Sequence, residues 1–136
     1  MILLRDIRDY IATLGIAVDN NCYCGKMDSK PKKAIGIYNL KDSRKAVVPI
    51  GGLENKSYGT KSISLLVHWS NSPTDTETAA IKLYQELQKT EQVEVNGHLI
   101  KFIEMLQEEP IPVDTDENGV FEYVIECLFY YERNGE

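Results

Sequence analysis

The sequence predicts an α+β domain, and three observations carry that reading. A strand-like run, Ser62–Trp69, feeds through Ser-Asn-Ser-Pro into an amphipathic helix over about 73–89. A second amphipathic helix opens the chain. A hairpin signal at Asn96-Gly97 and a long alternating run near the C-terminus supply further strands. The expected architecture is a mostly antiparallel or mixed sheet of about 4–6 strands with both helices packed on it.

Each element has its own local reason. Over residues 2–14, Leu3, Ile7, Tyr10, Ile11 and Leu14 form one apolar stripe, with Arg5, Asp6, Arg8 and Asp9 on the wet side and Gly15 as the stop. Ile16–Val18 reads as extended, Asp19-Asn20-Asn21 as a turn, and Cys22–Lys26 and Ala34–Tyr38 as short strands about a solvated Lys30–Lys33 turn. Residues of about 40–58 form an irregular loop with Lys41, Arg44, Lys45 and the Gly51-Gly52 pair. A loop of that length within one domain is usually functional or disordered.

In the central strand Ile63, Leu65, Val67 and Trp69 point one way, while Ser62, Ser64 and His68 point the other and Leu66 breaks the alternation. Ser72 is placed to cap the next helix, Pro73 suits its first position and Asp75 sits at its positive end. Ala80, Leu83, Tyr84 and Leu87 make its stripe. Gln92–Val95 and a return strand from His98 to about Leu106 flank Asn96-Gly97, the pair that suits a two-residue turn. Glu108–Gly119 reads as an acidic, proline-bearing loop. The last strand, Phe121–Tyr131, alternates Phe121, Tyr123, Ile125, Cys127, Phe129 and Tyr131 with a second face that is half apolar through Val124, Leu128 and Tyr130. A sheet face of that kind asks for a cover, either a helix or a neighbouring subunit.

Length and composition point to one domain spanning residues 1–136. No apolar run has membrane-spanning length, and the acidic residue at once after Met1–Arg5 argues against a signal peptide. Three cysteines, an odd number, argue against a disulfide framework. The net charge of -6 is unevenly spread: eleven Lys/Arg stand against six Asp/Glu up to Lys61, and four against fifteen from Ser62 onward. Such a surface is poorly suited to nonspecific nucleic-acid binding, but a chain with one basic and one acidic region can pair head to tail with its own copies.

No catalytic constellation is visible. Cys22-x-Cys24 lacks the further ligands of a zinc site, and small buried residues explain it. Gly51-Gly52 is not followed by the Gly-Lys-Ser/Thr of a phosphate loop. His68 and His98 fall on different strands with no nucleophile or carboxylate at a recognisable spacing. Asp114, Asp116 and Asn118 match the first half of a calcium loop, but Ile125 stands where the bidentate Glu is required, so an acidic turn before a strand is the better reading. Neither an enzyme nor a cofactor-binding protein is expected.

Taken in order, three parts of the chain carry a resemblance. The first is the N-terminal helix followed by Tyr23-Cys24-Gly25-Lys26 and Ala34-Ile35-Gly36-Ile37-Tyr38. The second is Ser64-Leu65-Leu66-Val67-His68-Trp69 leading into Ala79–Leu87. The third is Pro110–Gly119 and the final strand. This layout resembles the minor capsid or tail-terminator (head-tail joining) proteins of tailed bacteriophages. The resemblance implies a structural virion protein, assembled in the bacterial host cytoplasm, that forms a six-fold ring on the tail tube. It implies as partners the protein itself, the tail tube protein and a head-completion or connector protein, with no membrane or specific nucleic-acid target. A head-completion or neck role is the alternative within that class, and a calcium-dependent binding module lies outside it. The candidate interface residues are Lys41, Arg44 and Lys45 on the basic side and Glu108, Glu109, Asp114, Asp116 and Glu117 on the acidic side, with Leu128 and Tyr130 on the last strand.

Overall fold

The computed structural model describes residues 1–25, 31–41 and 57–133. Two α-helices, α1 (Leu4–Thr13) and α2 (Pro73–Lys89), pack on one mixed sheet of seven strands among the described residues. The strands are β1 (Cys22–Cys24), β2 (Ala34–Asn39), β3 (Tyr58–His68), β4 (Glu91–Val95), β5 (His98–Met105), β6 (Ile111–Val113) and β7 (Glu122–Glu132). Their order is β1-β2-β3-β7-β5-β4, with β6 paired beside the first half of β7. Only β1 with β2 runs parallel; the other pairs are antiparallel.

The α+β expectation holds, with more strands than expected. The extra strand is β6, inside the stretch read as loop: Ile111, Pro112 and Val113 pair with Val124, Tyr123 and Glu122. Pro112 is tolerated because β6 is an edge strand, where a missing N–H breaks no second ladder. Ile16–Val18 is not a strand; the chain bends there into a single 3₁₀ turn at Asp19–Asn21. The loop of about 40–58 lies largely outside the described residues.

The long pair β3–β7 is the spine, in register from Tyr58↔Glu132 to His68↔Glu122. Ile63, Leu65 and Val67 of β3 and Ile125, Cys127 and Phe129 of β7 are buried on the helix-bearing face. Ile35 and Ile37 of β2 and Ile100 and Ile103 of β5 extend that face. Ile7 and Ile11 of α1 and Ala80, Leu83 and Leu87 of α2 close over it. Burying one such Leu or Ile side chain contributes about 1.5–3 kcal/mol. Helix α2 covers β3, β7 and β5, whereas α1 touches β1 and β2 at one edge and β4 at the other. The sheet therefore curls until one helix reaches both its margins.

Polar contacts fix that helix. The Leu3 N–H donates to Asp6 Oδ2 at 2.8 Å, closing the α1 N-terminus, and Gly15 takes a φ of 74° beyond its end. Asn96 Nδ2 donates to Asp6 Oδ1 at 2.9 Å and to Asp9 Oδ2 at 2.8 Å, so the hairpin turn is tied to the helix. The Tyr10 and Thr90 hydroxyls pair at 2.6 Å. Arg8 donates from Nε to the Cys22 carbonyl at 2.9 Å and sits 3.0 Å from Asp19 Oδ1, holding the 3₁₀ turn against α1.

Candidate assembly surfaces

The register of the sheet decides what its helix-free face presents. Successive cross-strand rows there are Ala34–His68–Glu122, Gly36–Leu66–Val124, Tyr38–Ser64–Glu126, Ser62–Leu128 and Thr60–Tyr130. The half-apolar character expected of the last strand is therefore a property of the whole face. Its apolar residues are not equally open, however. Leu128 is 0 % exposed, so it is buried within its own chain and offers no contact area. Tyr130 is half-buried, its ring stacked on Phe102 at 4.4 Å and tilted against Tyr58 at 5.8 Å. Its hydroxyl donates to Glu104 Oε1 at 2.8 Å. Phe102, unnoticed in the sequence because a register shift between Ile100 and Phe102 turns it to the opposite face from Ile100, is 47 % exposed and is the more open member of that stack.

The acidic residues fall in two groups. Glu108 and Glu109 are exposed just past β5. The adjoining Gln107 is fixed by its carbonyl accepting the Tyr84 hydroxyl and by its Nε2 donating to Glu126 Oε1 at 2.8 Å. Burial, with Glu108 and Glu109 nearby, pushes the Tyr84 hydroxyl above its ordinary pKa. Asp114 and Glu117 are exposed on the turn between β6 and β7, but Asp116 is turned inward. Its Oδ1 accepts from the N–H groups of Asn118 and Val120, both at 2.9 Å, and Gly119 takes a φ of 75° to close the turn. Asn71 Nδ2 donates to the Asn118 carbonyl at 3.2 Å, fastening the turn to the segment between β3 and α2.

That geometry is an Asx-type turn, in which Asp116 spends one oxygen on its own backbone. No group of three or more His, Cys, Asp or Glu among the described residues is arranged to hold a metal ion. The basic side is represented by Lys41, exposed just beyond β2, where the Leu40 N–H donates to the Ser62 carbonyl at 3.0 Å. Arg44 and Lys45 lie outside the described residues.

Sequence reasoning missed His68. Its place in the alternation suggested a solvent-facing side chain without a carboxylate partner, yet it is 0 % exposed. Its Nδ1 lies 2.8 Å from Glu122 Oε2, directly across the β3–β7 ladder, and its Nε2 lies 3.7 Å from Asp116 Oδ2. Both carboxylates are about fifty residues away in sequence, so no spacing motif could have found them.

The sequence model of the bacteriophage tail terminator protein family matches residues 10–133. This chain is a member of the bacteriophage tail terminator family. The match spans nearly every element, from the middle of α1 through β7, and the family is a structural one. A comparison with curated proteins finds no match. None of the described helices is long and apolar enough to cross a membrane.

Proposed function

We propose that this tail terminator assembles head to tail into a closed, six-fold ring that ends the tail tube and joins it to the head. Copies in such a ring meet through two different patches, because rotation about one axis brings unlike surfaces together. What supports the reading is where the charge falls on the fold. Lys41 follows Leu40, which bonds Ser62 near the middle of β3, while the Asp114–Glu117 turn is fastened near His68 at the end of that strand. The six residue steps from Ser62 to His68 span roughly 20 Å of strand. Lys41, Arg44 and Lys45 then meet Glu108, Glu109, Asp114 and Glu117 of the next copy or of the tube. The Phe102–Tyr130 stack, open on its Phe102 side, supplies apolar area for the same interface.

On this reading the partners are further copies of the chain, the tail tube protein and a head-completion or connector protein. The protein is made in the bacterial cytoplasm and ends in the virion, with no catalytic step of its own. Removing the gene from the phage or prophage that carries it, then imaging the lysate by negative stain, tests the role. Overlong tubes beside DNA-filled, tailless heads are expected. Normal tails with leaking heads would assign the protein to head completion, and intact infectious particles would end the proposal. Reversing Lys41, Arg44 and Lys45 to Glu together should abolish assembly in complementation while leaving a folded monomer. Normal assembly of that variant would refute the basic patch.

A further inference from the structure

We infer that His68 is a proton-operated latch that fixes the acidic Asp114–Gly119 turn to the central sheet. The imidazole is buried, with one nitrogen toward each of two carboxylates: Glu122 Oε2 at 2.8 Å from Nδ1 and Asp116 Oδ2 at 3.7 Å from Nε2. Ionised carboxylates only accept hydrogen bonds, and a neutral imidazole has a single N–H to give. Glu122, within bonding distance, takes it. Nε2 then presents a lone pair to a carboxylate oxygen, which accounts for its having no hydrogen-bond partner and for the longer distance. It is the buried side-chain polar atom in that condition among the described residues.

A second proton changes this arrangement. As an imidazolium, His68 donates from both nitrogens, and the Nε2–H points at Asp116 Oδ2. Asp116 already holds the turn together through Oδ1, so drawing its other oxygen toward the sheet tightens the turn as a unit. The other titratable group from the described elements that senses Glu122 is Tyr38 of β2, whose hydroxyl is raised by burial and by that carboxylate. The latch lies within a single copy of the chain and operates whether or not a ring forms.

The test is nuclear magnetic resonance on the whole ¹⁵N-labelled protein between about pH 5 and 8, the range in which histidine gains its proton. The ring nitrogens of His68 are followed together with the amides of Asn118, Gly119 and Val120. The latch requires those amides to shift with the His68 ring, and their protection factors, taken against the intrinsic exchange rate at each pH, to rise by about tenfold in the protonated form, the size of one charge-assisted hydrogen bond. His98, which sits 3.6 Å from Asp6 at another place in the fold, is the internal control and should leave the turn unmoved. Asp116→Asn keeps an Oδ1 acceptor for the two backbone amides but replaces Oδ2 with an amide group. It should leave the turn intact at the upper end of the range and abolish the joint titration. Turn amides that ignore the His68 ring, or an Asp116→Asn protein that behaves as the wild type does, would overturn the latch.

Discussion

Gly59 offers a direct test of how tightly the spine is packed. It lies opposite Tyr131 in the β3–β7 ladder, and a Cβ at this position would fall 2.5 Å from Tyr131 Cζ, 2.6 Å from its hydroxyl oxygen and 3.0 Å from Cε1. Comfortable carbon–carbon contact begins at roughly 3.5 Å, so the ring would have to retreat by about 1 Å. It has little room, because Tyr131 is 5 % exposed and is also paired with Ile100 on its other side. Overpacking of this kind costs about 1–3 kcal/mol. Losing glycine's freedom in the unfolded chain offsets about 0.4–1 kcal/mol of that. Gly59→Ala should therefore lose about 1–2 kcal/mol in urea titration at an unchanged slope, and melt roughly 3–8 °C lower. Tyr131→Leu removes the ring, and in that background the same substitution should cost less than about 0.5 kcal/mol, since contacting residues couple and separated ones add. An equal cost in both backgrounds, or none in the wild type, would refute the assignment of Gly59 to ring clearance.

Burial raises the Asp6 carboxyl, but the Asn96 hydrogen bond, the Leu3 N–H and the nearby charges of His98 and Arg5 outweigh it, so its folded pKa lies below the ordinary value. A depressed carboxylate stabilises the fold above the unfolded pKa of about 3.9, and that share is lost as pH falls through the folded value. Asp6→Ala should thus lose about 1–2 kcal/mol at neutral pH and flatten the acid limb of the stability curve, measured by urea titration at each pH. Asn96→Ala removes the donor that ties the hairpin to Asp6 and Asp9, and places a Cβ-bearing residue without a polar side chain at a φ of 50°. A loss of about 2 kcal/mol is expected, with Asn96→Gly falling between it and the wild type. Burial pushes the Cys127 thiol up to about 12 and raises that of Cys22, whereas Cys24 is exposed. A thiol reagent at neutral pH should therefore label one cysteine in the native protein, at position 24, and all three once it is unfolded.

The parts of the fold that follow from nearby residues could be read before the structure was known. Helix α2 spans Pro73–Lys89 as its cap, proline and stripe required, with the Asp75 N–H donating to Ser72 Oγ at 3.2 Å. The hairpin turns at Asn96-Gly97, both with positive φ. What escaped notice depends on partners distant in the chain. Three residues around Pro112 become a strand only because β7 has an unpaired stretch beside them. His68 and Leu128 sit on the face that alternation assigns to solvent, and both are buried. Alternation tells which residues share a face, not whether that face is wet. The same limit applies to the candidate surfaces: the excess of acid after Ser62 was visible, but not that Asp116 would turn inward while Asp114 and Glu117 stayed out.

The ties between α1 and the β4–β5 hairpin also set an order of events during synthesis. Helix α1 is complete by Thr13, yet the side chains that tie it to the β4 margin of the sheet, Thr90 and Asn96, leave the ribosome some eighty residues later. At roughly 5–20 residues per second that is a wait of about 4–16 seconds. During this time Ile7 and Ile11 can settle only on β1 and β2, and the margin of the sheet reserved for β4 stays open. A host that translates slowly across this stretch lengthens the exposure of an apolar stripe, and one that makes many copies at once risks having neighbouring chains fill the gap first.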